Sequence, residues 1–169
     1  MTIVTYEIEI SDTAIWNELV TAFESGSGYW ARSEVADKAG LTRIDYGSEI
    51  LAEENKKRAE KAELAGEYYS SYSGASEDLV WLKENGHYIY SSQIPLMGGE
   101  ITIYDSESWN GEGYDTVLGV VNRETIDRGL QLMADKAKRH FNDMISEGGD
   151  STTSDVLLQY ITMSEVIYG

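Results

Sequence analysis

The segment Leu19-Val20-Thr21-Ala22-Phe23-Glu24-Ser25-Gly26-Ser27-Gly28-Tyr29-Trp30-Ala31 decides how the first part of the chain folds. The apolar residues that lead into it recur at helical spacing, so it predicts the end of a buried helix. Gly26 and Gly28 can adopt positive φ without a Cβ penalty, and we expect a sharp turn there. The adjacent Tyr29 and Trp30 either line a ligand pocket or pin the helix end to the core.

Composition limits the classes of protein that the chain can belong to. Its 169 residues, 41% of them hydrophobic, predict one domain spanning residues 1–169. It has no cysteine, which excludes disulfides, thiolate metal sites and a cysteine nucleophile. Neither a basic leader nor an apolar run of about 20 residues is present, and we expect a soluble cytoplasmic protein without membrane contact.

Charge is the most unusual global property. Thirty acidic residues against 13 basic ones give a formal charge of −17 and a pI near 4.3. Such a surface repels nucleic acid and anionic membranes and attracts basic surfaces, of which nucleic-acid-binding clefts are a common kind. The alternative is that the charge serves only solubility or adaptation to salt.

Hydrophobic periodicity predicts the elements of the first half. Alternation over residues 2–10 predicts a strand, and Ser11 or Asp12 is suited to cap the helix that follows. Residues 29–47 fit short strands or an irregular loop equally well. An exposed helix is predicted over residues 48–67, followed by a loop containing Tyr68, Tyr69 and Tyr72.

The second half predicts three strands and two helices. The strands cover residues 87–94, 101–104 and the apolar run 117–121, which we expect to be buried. A long helix over residues 124–146 is capped by Asn122, and a final helix starts near Thr153 or Ser154 with Asp155 in its first turn. Together these elements predict an α+β fold, with a small, mostly antiparallel sheet covered by three to four helices.

Both ends of the chain resemble a family of small, uncharacterised proteins encoded by bacteriophages and prophages. Its members carry a Thr-Ala-x-Glu-Gly-Gly-x-x-Tyr-Trp motif, matched here from Thr21 to Trp30, and end in Gly-Glu-hydrophobic-Val-Tyr-Gly, matched by Ser164-Glu165-Val166-Ile167-Tyr168-Gly169. The segment Ile126-Asp127-Arg128-Gly129-Leu130 is a weaker third match. Ser25 and Ser164 stand where the family has glycine. The resemblance implies a phage or mobile-element origin and implies no activity.

The two motifs supply the candidate ligand-binding residues. Each lies at a helix C-terminus, and two such ends can meet in a compact domain. Carboxylates, phenols and an indole could then line a pocket for a base or a sugar, or form a buried clasp that ties down the chain end. The candidates are Glu24, Tyr29, Trp30, Glu165 and Tyr168.

Two acidic segments supply the candidate partner-binding residues. The first, without Lys or Arg, contains Glu100, Asp105, Glu107, Trp109, Glu112 and Asp115. The second follows Arg139 and contains Asp143, Glu147, Asp150, Asp155 and Glu165. On one face they would imitate the phosphate track of DNA; otherwise they are an ordinary solvated surface.

No motif predicts catalysis or a bound metal. The segment 105–116 resembles a calcium loop, but Trp109 stands where an oxygen ligand belongs and Thr116 stands where the bidentate Glu belongs. Neither His87 nor His140 lies in a metal-binding motif, and Gly26-x-Gly28 lacks the rest of a dinucleotide fingerprint. We therefore expect a non-enzymatic protein with no cofactor and no metal.

The sequence leads to one functional hypothesis and two alternatives. The hypothesis is a phage-encoded accessory protein in an infected bacterial host. It inhibits a host defence protein as an acidic DNA mimic that blocks a basic cleft, without itself binding nucleic acid. One alternative is a sponge that sequesters a nucleotide signal in a Tyr/Trp pocket, with Arg32, Lys38 or Arg43 supplying positive charge. The other is a structural or replication accessory role, and a homo-oligomer is left open.

Overall fold

A computed structural model describes residues 7–45, 47–68 and 76–169. The fold is α+β, and its buried hydrophobic side chains form one cluster. Within the described ranges, none of the helices is both long and apolar enough to cross a bilayer. The predicted first strand lies partly outside these ranges, and its described residues, 7–10, form no strand.

The main sheet has three antiparallel strands in the order β1-β4-β5, where β1 is Ala31–Asp37, β4 is Glu100–Asp105 and β5 is Val117–Val121. Its first strand is therefore the one that follows the glycine turn. The prediction that residues 117–121 are buried was wrong, since β5 is an edge strand in which only Val121 is buried and Val117 is 56% exposed.

A second, parallel pair joins β2 (Thr42–Arg43) to β3 (His87–Tyr88). The strand predicted over residues 87–94 was too long, because a 3₁₀ helix, Ser91–Met97, replaces its second half. The buried Gln93 causes this change. Its side-chain oxygen accepts the backbone N–H groups of Ile89 and Tyr90, which a sheet partner would otherwise accept.

Six α-helices pack around these strands in the part of the chain that the structure describes. They are α1 (Asp12–Thr21), α2 (Glu49–Ala65), α3 (Ser76–Glu84), α4 (Arg123–Lys136), α5 (Lys138–Ile145) and α6 (Ser151–Met163). Ser11 caps α1 and Asn122 caps α4, as predicted. Helix α2 is exposed, as its sequence indicates, and Leu51 is its one buried residue. Of the loop predicted after α2, Tyr69 and Tyr72 lie outside the described residues.

The long helix predicted over residues 124–146 is two helices, separated at Ala137 (φ −127°, ψ 51°). The break allows Phe141 and Met144 to face the core from a new direction, an effect that three- and four-residue spacing cannot reveal. Of the helices, α4 and α6 pack against strand β5 of the main sheet.

Helix α6 lies at the centre of the molecule. Every residue from 153 to 162 is buried, the mark of a helix enclosed on all sides. Helix α4 crosses it closely at Gly129, where a Cβ would lie 2.9 Å from the backbone nitrogen of Ile161. The helix begins at Ser151 with Asp150 as its cap, earlier than predicted, so that Asp155 lies one turn inside it.

Candidate functional site

The predicted turn after α1 forms by a different device from the one expected. Neither Gly26 nor Gly28 adopts positive φ. The helix instead widens into a π-helical turn over Ala22–Gly26 and then ends. Glycine is required at Gly26 because a Cβ there would lie 2.8 Å from the carbonyl oxygen of Ser151, at the start of α6. The turn therefore brings the end of α1 directly against the central helix.

Asp155 of α6 accepts the hydrogen bonds that the polar side chains at the end of this turn donate. Its Oδ1 accepts the Ser27 hydroxyl and the Trp30 indole N–H, both at 2.6 Å. Its Oδ2 accepts the Tyr29 hydroxyl at 3.1 Å and the side-chain amide of Gln159 at 2.9 Å. Asp155 is 6% exposed, and four donors satisfy its carboxylate without a cation.

Gln159 extends the same network to the C-terminus. Its amide nitrogen also donates to the carbonyl oxygen of Tyr168, and its oxygen accepts the backbone N–H groups of Ile167 and Tyr168. The Tyr168 ring stacks on Trp30, with ring centroids 5.1 Å apart and planes 8° from parallel. We call Ser27, Tyr29, Trp30, Asp155, Gln159 and Tyr168 the C-terminal clasp.

The clasp unites three of the five predicted ligand-binding residues: Tyr29, Trp30 and Tyr168. Trp30 is 2% exposed, so its ring is not available to stack on a ligand. Glu24 and Glu165 are exposed and contribute no contact to the clasp. The arrangement corresponds to the buried clasp, one of the two alternatives that the sequence left open.

Ser27, Asp155 and Gln159 are the residues of the clasp that sequence reasoning missed. Asp155 was interpreted as a first-turn residue facing the helix dipole and was counted among the acidic candidates, but it is buried. The signal was present: Asp155 and Gln159 are four residues apart, within an otherwise apolar run. Two polar residues on one face of a buried helix indicate a hydrogen-bonded pair in the core.

Residues 105–116, which we call the acidic loop, form an ordered connection between β4 and β5. Asp105 accepts the backbone N–H of Glu107 at 2.8 Å, and Asn110 accepts those of Glu112 and Gly113 at 3.0 Å. The Ser108 hydroxyl bridges the two sides of the loop: it donates to the carbonyl oxygen of Asp105 and accepts from the N–H of Thr116. These side-chain bonds preorganise the loop.

The acidic loop presents one large aromatic side chain among carboxylates. Trp109 is 56% exposed and meets Tyr114 edge-on, with ring centroids 5.1 Å apart. Glu107, Glu112 and Asp115 are exposed around it, and the chain has no Lys or Arg between Lys83 and Arg123. Two predicted partner-binding acids are structural instead: Asp105 holds the loop, and the half-buried Glu100 accepts from Asn122 at 2.8 Å.

The second acidic segment surrounds the start of α6. Glu147 and Asp150 are exposed, whereas Asp143 is half-buried and its Oδ2 lies 3.9 Å from the Nε of Arg139. Hydrogen bonds from Thr153, its backbone N–H foremost, lower the pKa of Asp150. Glu18 of α1 also belongs to this group. Burial raises its pKa, the hydroxyl of Ser154 acts in the opposite direction, and the negative charge of Asp150 adds to the rise.

Tyr29 connects the two acidic segments. Its carbonyl oxygen accepts the hydroxyl of Ser106 in the acidic loop, and its own hydroxyl donates to Asp155 at the start of α6. Tyr29 therefore contacts both the base of the acidic loop and Asp155 of α6. Burial, the hydrogen bond to Asp155 and the negative charge of Asp155 raise the pKa of Tyr29 above its ordinary value.

The two histidines do not form a reactive centre. The His140 Nδ1 lies 3.2 Å from the hydroxyl of Thr153, but Thr153 is 1% exposed and no substrate can reach it. His87 packs near Trp81, and its Nδ1 is buried without a hydrogen-bond partner among the described residues. A search of the described ranges finds no cluster of His, Asp and Glu suited to hold a metal ion.

These features define a class: an α+β protein with a strongly acidic surface, in which a buried carboxylate joins the turn after α1 to the central helix α6. No family model matches the chain, and no curated protein or solved structure shows significant similarity to it.

Proposed function

We propose that this protein acts by binding, as a phage-type accessory protein whose acidic surface occupies the basic cleft of a host defence protein. The observation that carries the proposal is the acidic loop, in which the exposed Trp109 stands among Glu107, Glu112 and Asp115. Tryptophan is among the residues enriched at binding hot spots, and Trp109 is exposed on a loop that side-chain hydrogen bonds preorganise. Unopposed carboxylates speed association with a basic partner and exclude acidic ones.

Two further observations support a surface larger than the loop. The second acidic segment adds the exposed Glu147 and Asp150, and Tyr29 contacts both Ser106 of the acidic loop and Asp155 of α6. Asp155 is the one buried acid among the described side chains, so nearly all of the negative charge faces solvent. A nucleic-acid cleft is the basic surface that such a distribution complements best.

The experiment is binding to purified defence proteins with nucleic-acid clefts, such as a type I restriction enzyme or a CRISPR effector. It is carried out at about 0.05 M and about 0.5 M salt, which changes the screening length severalfold. We expect a complex that weakens with salt and that DNA displaces. The triple variant Glu107→Gln, Glu112→Gln, Asp115→Asn should bind at least roughly tenfold more weakly.

A matched control separates the loop from net charge. The triple variant Glu49→Gln, Glu63→Gln, Glu84→Gln removes the same number of exposed carboxylates from α2 and α3. It should retain most of the affinity. Equal losses of affinity in both triple variants would mean that the loop acts only through its contribution to the net charge. The absence of a salt-sensitive complex with every basic defence protein tested would contradict the proposal.

A further inference from the structure

A recess that shares no residue with the acidic loop lies between the π-helical turn and β3. Its volume is about 280 Å³, close to the lower end of small-molecule sites. The π-helical turn contributes Phe23 and Glu24, β1 contributes Val35, and β2 contributes Arg43. The remaining lining residues are Val20, Tyr88, Ile89, Tyr90, Ser91 and Ser92.

The walls of this recess are held by buried polar groups. Gln93, which is 2% exposed, accepts the N–H groups of Ile89 and Tyr90 at 2.8 and 3.0 Å. The indole N–H of Trp16 donates to the hydroxyl of Ser92 at 3.0 Å. Arg43 is paired in register with Tyr88, and paired residues project from the same face of a sheet. The recess is therefore formed before any ligand arrives.

Glu24 lies on a π-helical turn, a conformation that is frequent at functional sites because it re-aims side chains. Glu24 and Arg43 are both exposed, and both line the recess. In the described ranges, neither Glu24 nor Arg43 forms an ion pair. Elsewhere such pairs do form, as between Arg58 and Glu54 and between Arg123 and Asp12. Opposite charges thus stand unpaired beside Phe23 and the two tyrosines.

We infer that this recess binds a small zwitterion of the α-amino-acid class with an aromatic or large aliphatic side chain. Its ammonium group pairs with Glu24, its carboxylate pairs with Arg43, and its side chain packs against the aromatic wall. A neutral ligand is favoured over an anionic one because the protein carries a formal charge of −17, which repels anions. A ligand with both charges can pair with both side chains, whereas a ligand with one charge can pair with only one of them.

The test is calorimetry on the full-length protein with L-phenylalanine and L-leucine. Two further probes each lack one charge: phenylacetate has no ammonium group and phenethylamine has no carboxylate. We expect L-phenylalanine to bind with a dissociation constant below about 1 mM, and each single-charge probe to bind at least roughly tenfold more weakly. Guanosine monophosphate is the anionic comparison and should not bind.

Four variants locate the site. Glu24→Gln and Arg43→Gln should each weaken L-phenylalanine binding roughly tenfold or more, since each removes a charged hydrogen-bond partner. Val35→Trp retains both charges but fills the mouth of the recess, and it should abolish binding. Arg139→Gln, on a side chain that is 90% exposed, is the control and should leave binding unchanged.

Three results would overturn the inference: no heat with either amino acid up to about 10 mM, phenylacetate binding as tightly as L-phenylalanine, or unchanged binding in both charge variants. Guanosine monophosphate binding that depends on Glu24 and Arg43 would replace the amino acid by a nucleotide and also overturn it. None of these outcomes affects the proposed function, which rests on residues 105–116.

Discussion

The C-terminal clasp and the acidic loop are built from the same residue types and use them in opposite ways. In the clasp, Asp155 is buried and four donors occupy its carboxylate. In the loop, Asp115 is exposed and accepts only a local bond from Thr116. Trp30 and Trp109 differ in the same way, at 2% and 56% exposure. An acid or a tryptophan therefore contributes to the fold when its contacts are used internally, and is available to a partner when they are not.

The largest effect that the comparison predicts is at the tryptophans. Trp30→Ala removes a buried ring stacked on Tyr168 and leaves Asp155 without one donor, so we expect the free energy of unfolding to fall by about 3–5 kcal/mol. Trp109→Ala removes an exposed ring and should change it by less than about 1 kcal/mol. Urea unfolding measures both, and similar losses at the two positions would contradict the distinction.

A smaller effect is expected from one substitution made in both regions. Asp155→Asn preserves the size of the side chain but turns an amide N–H₂ towards two of the four donors. We expect the free energy of unfolding to fall by about 2–4 kcal/mol. Asp115→Asn should stay within about 0.5 kcal/mol. Thermal unfolding of the two variants side by side is the measurement. A tolerated Asp155→Asn would mean that the clasp does not depend on a carboxylate.

The smallest effect concerns pH at the start of α6. Burial raises the pKa of Glu18 in the folded protein above its ordinary value, so folding favours the protonated form. The stability from this shift is present below the unfolded pKa and is lost as pH rises through the folded one. The melting temperature of Glu18→Gln, relative to that of the parent protein, should therefore be higher at pH 7 than at pH 3.5.

Asp150 supplies the control of opposite sign. Its folded pKa is lowered, so the stability from this shift is present above the unfolded pKa and is lost as pH falls. Asp150→Asn retains a capping side chain, and any destabilisation should be larger at pH 7 than at pH 3. Thermal melts across this range measure both variants, and pH responses of the same sign in the two would contradict the assignment.

Local signals predicted those parts of the fold in which neighbouring residues act on each other. The caps Ser11 and Asn122, strand β4 and the exposed helix α2 depend on spacing and on side chains within a few residues. Such interactions can be predicted from the sequence because they join residues that are close in it.

Predictions failed where a side chain takes over backbone hydrogen bonds or a helix changes direction, because a hydrophobic pattern shows neither. Gln93 takes the N–H groups that the strand predicted over residues 87–94 would have used, and the turn of the helix axis at Ala137 is invisible to a periodic pattern. The candidate site residues also differ in how far the sequence predicts their environment. Exposure of Trp109 followed from its polar neighbours, whereas Glu24 lines a recess with Arg43 that no spacing connects.

The sequence by itself determined the α+β class, the helix caps and the strong negative charge, because composition and short-range periodicity suffice for these properties. Only the tertiary structure decided what each acid and each aromatic ring does. Burial and hydrogen-bond partners come from segments far apart in the chain: Asp155 meets Trp30 across 125 positions, and Glu24 shares a recess with Tyr90. A carboxylate has the same chemistry in either setting, and its surroundings decide whether it holds the chain together or faces a partner.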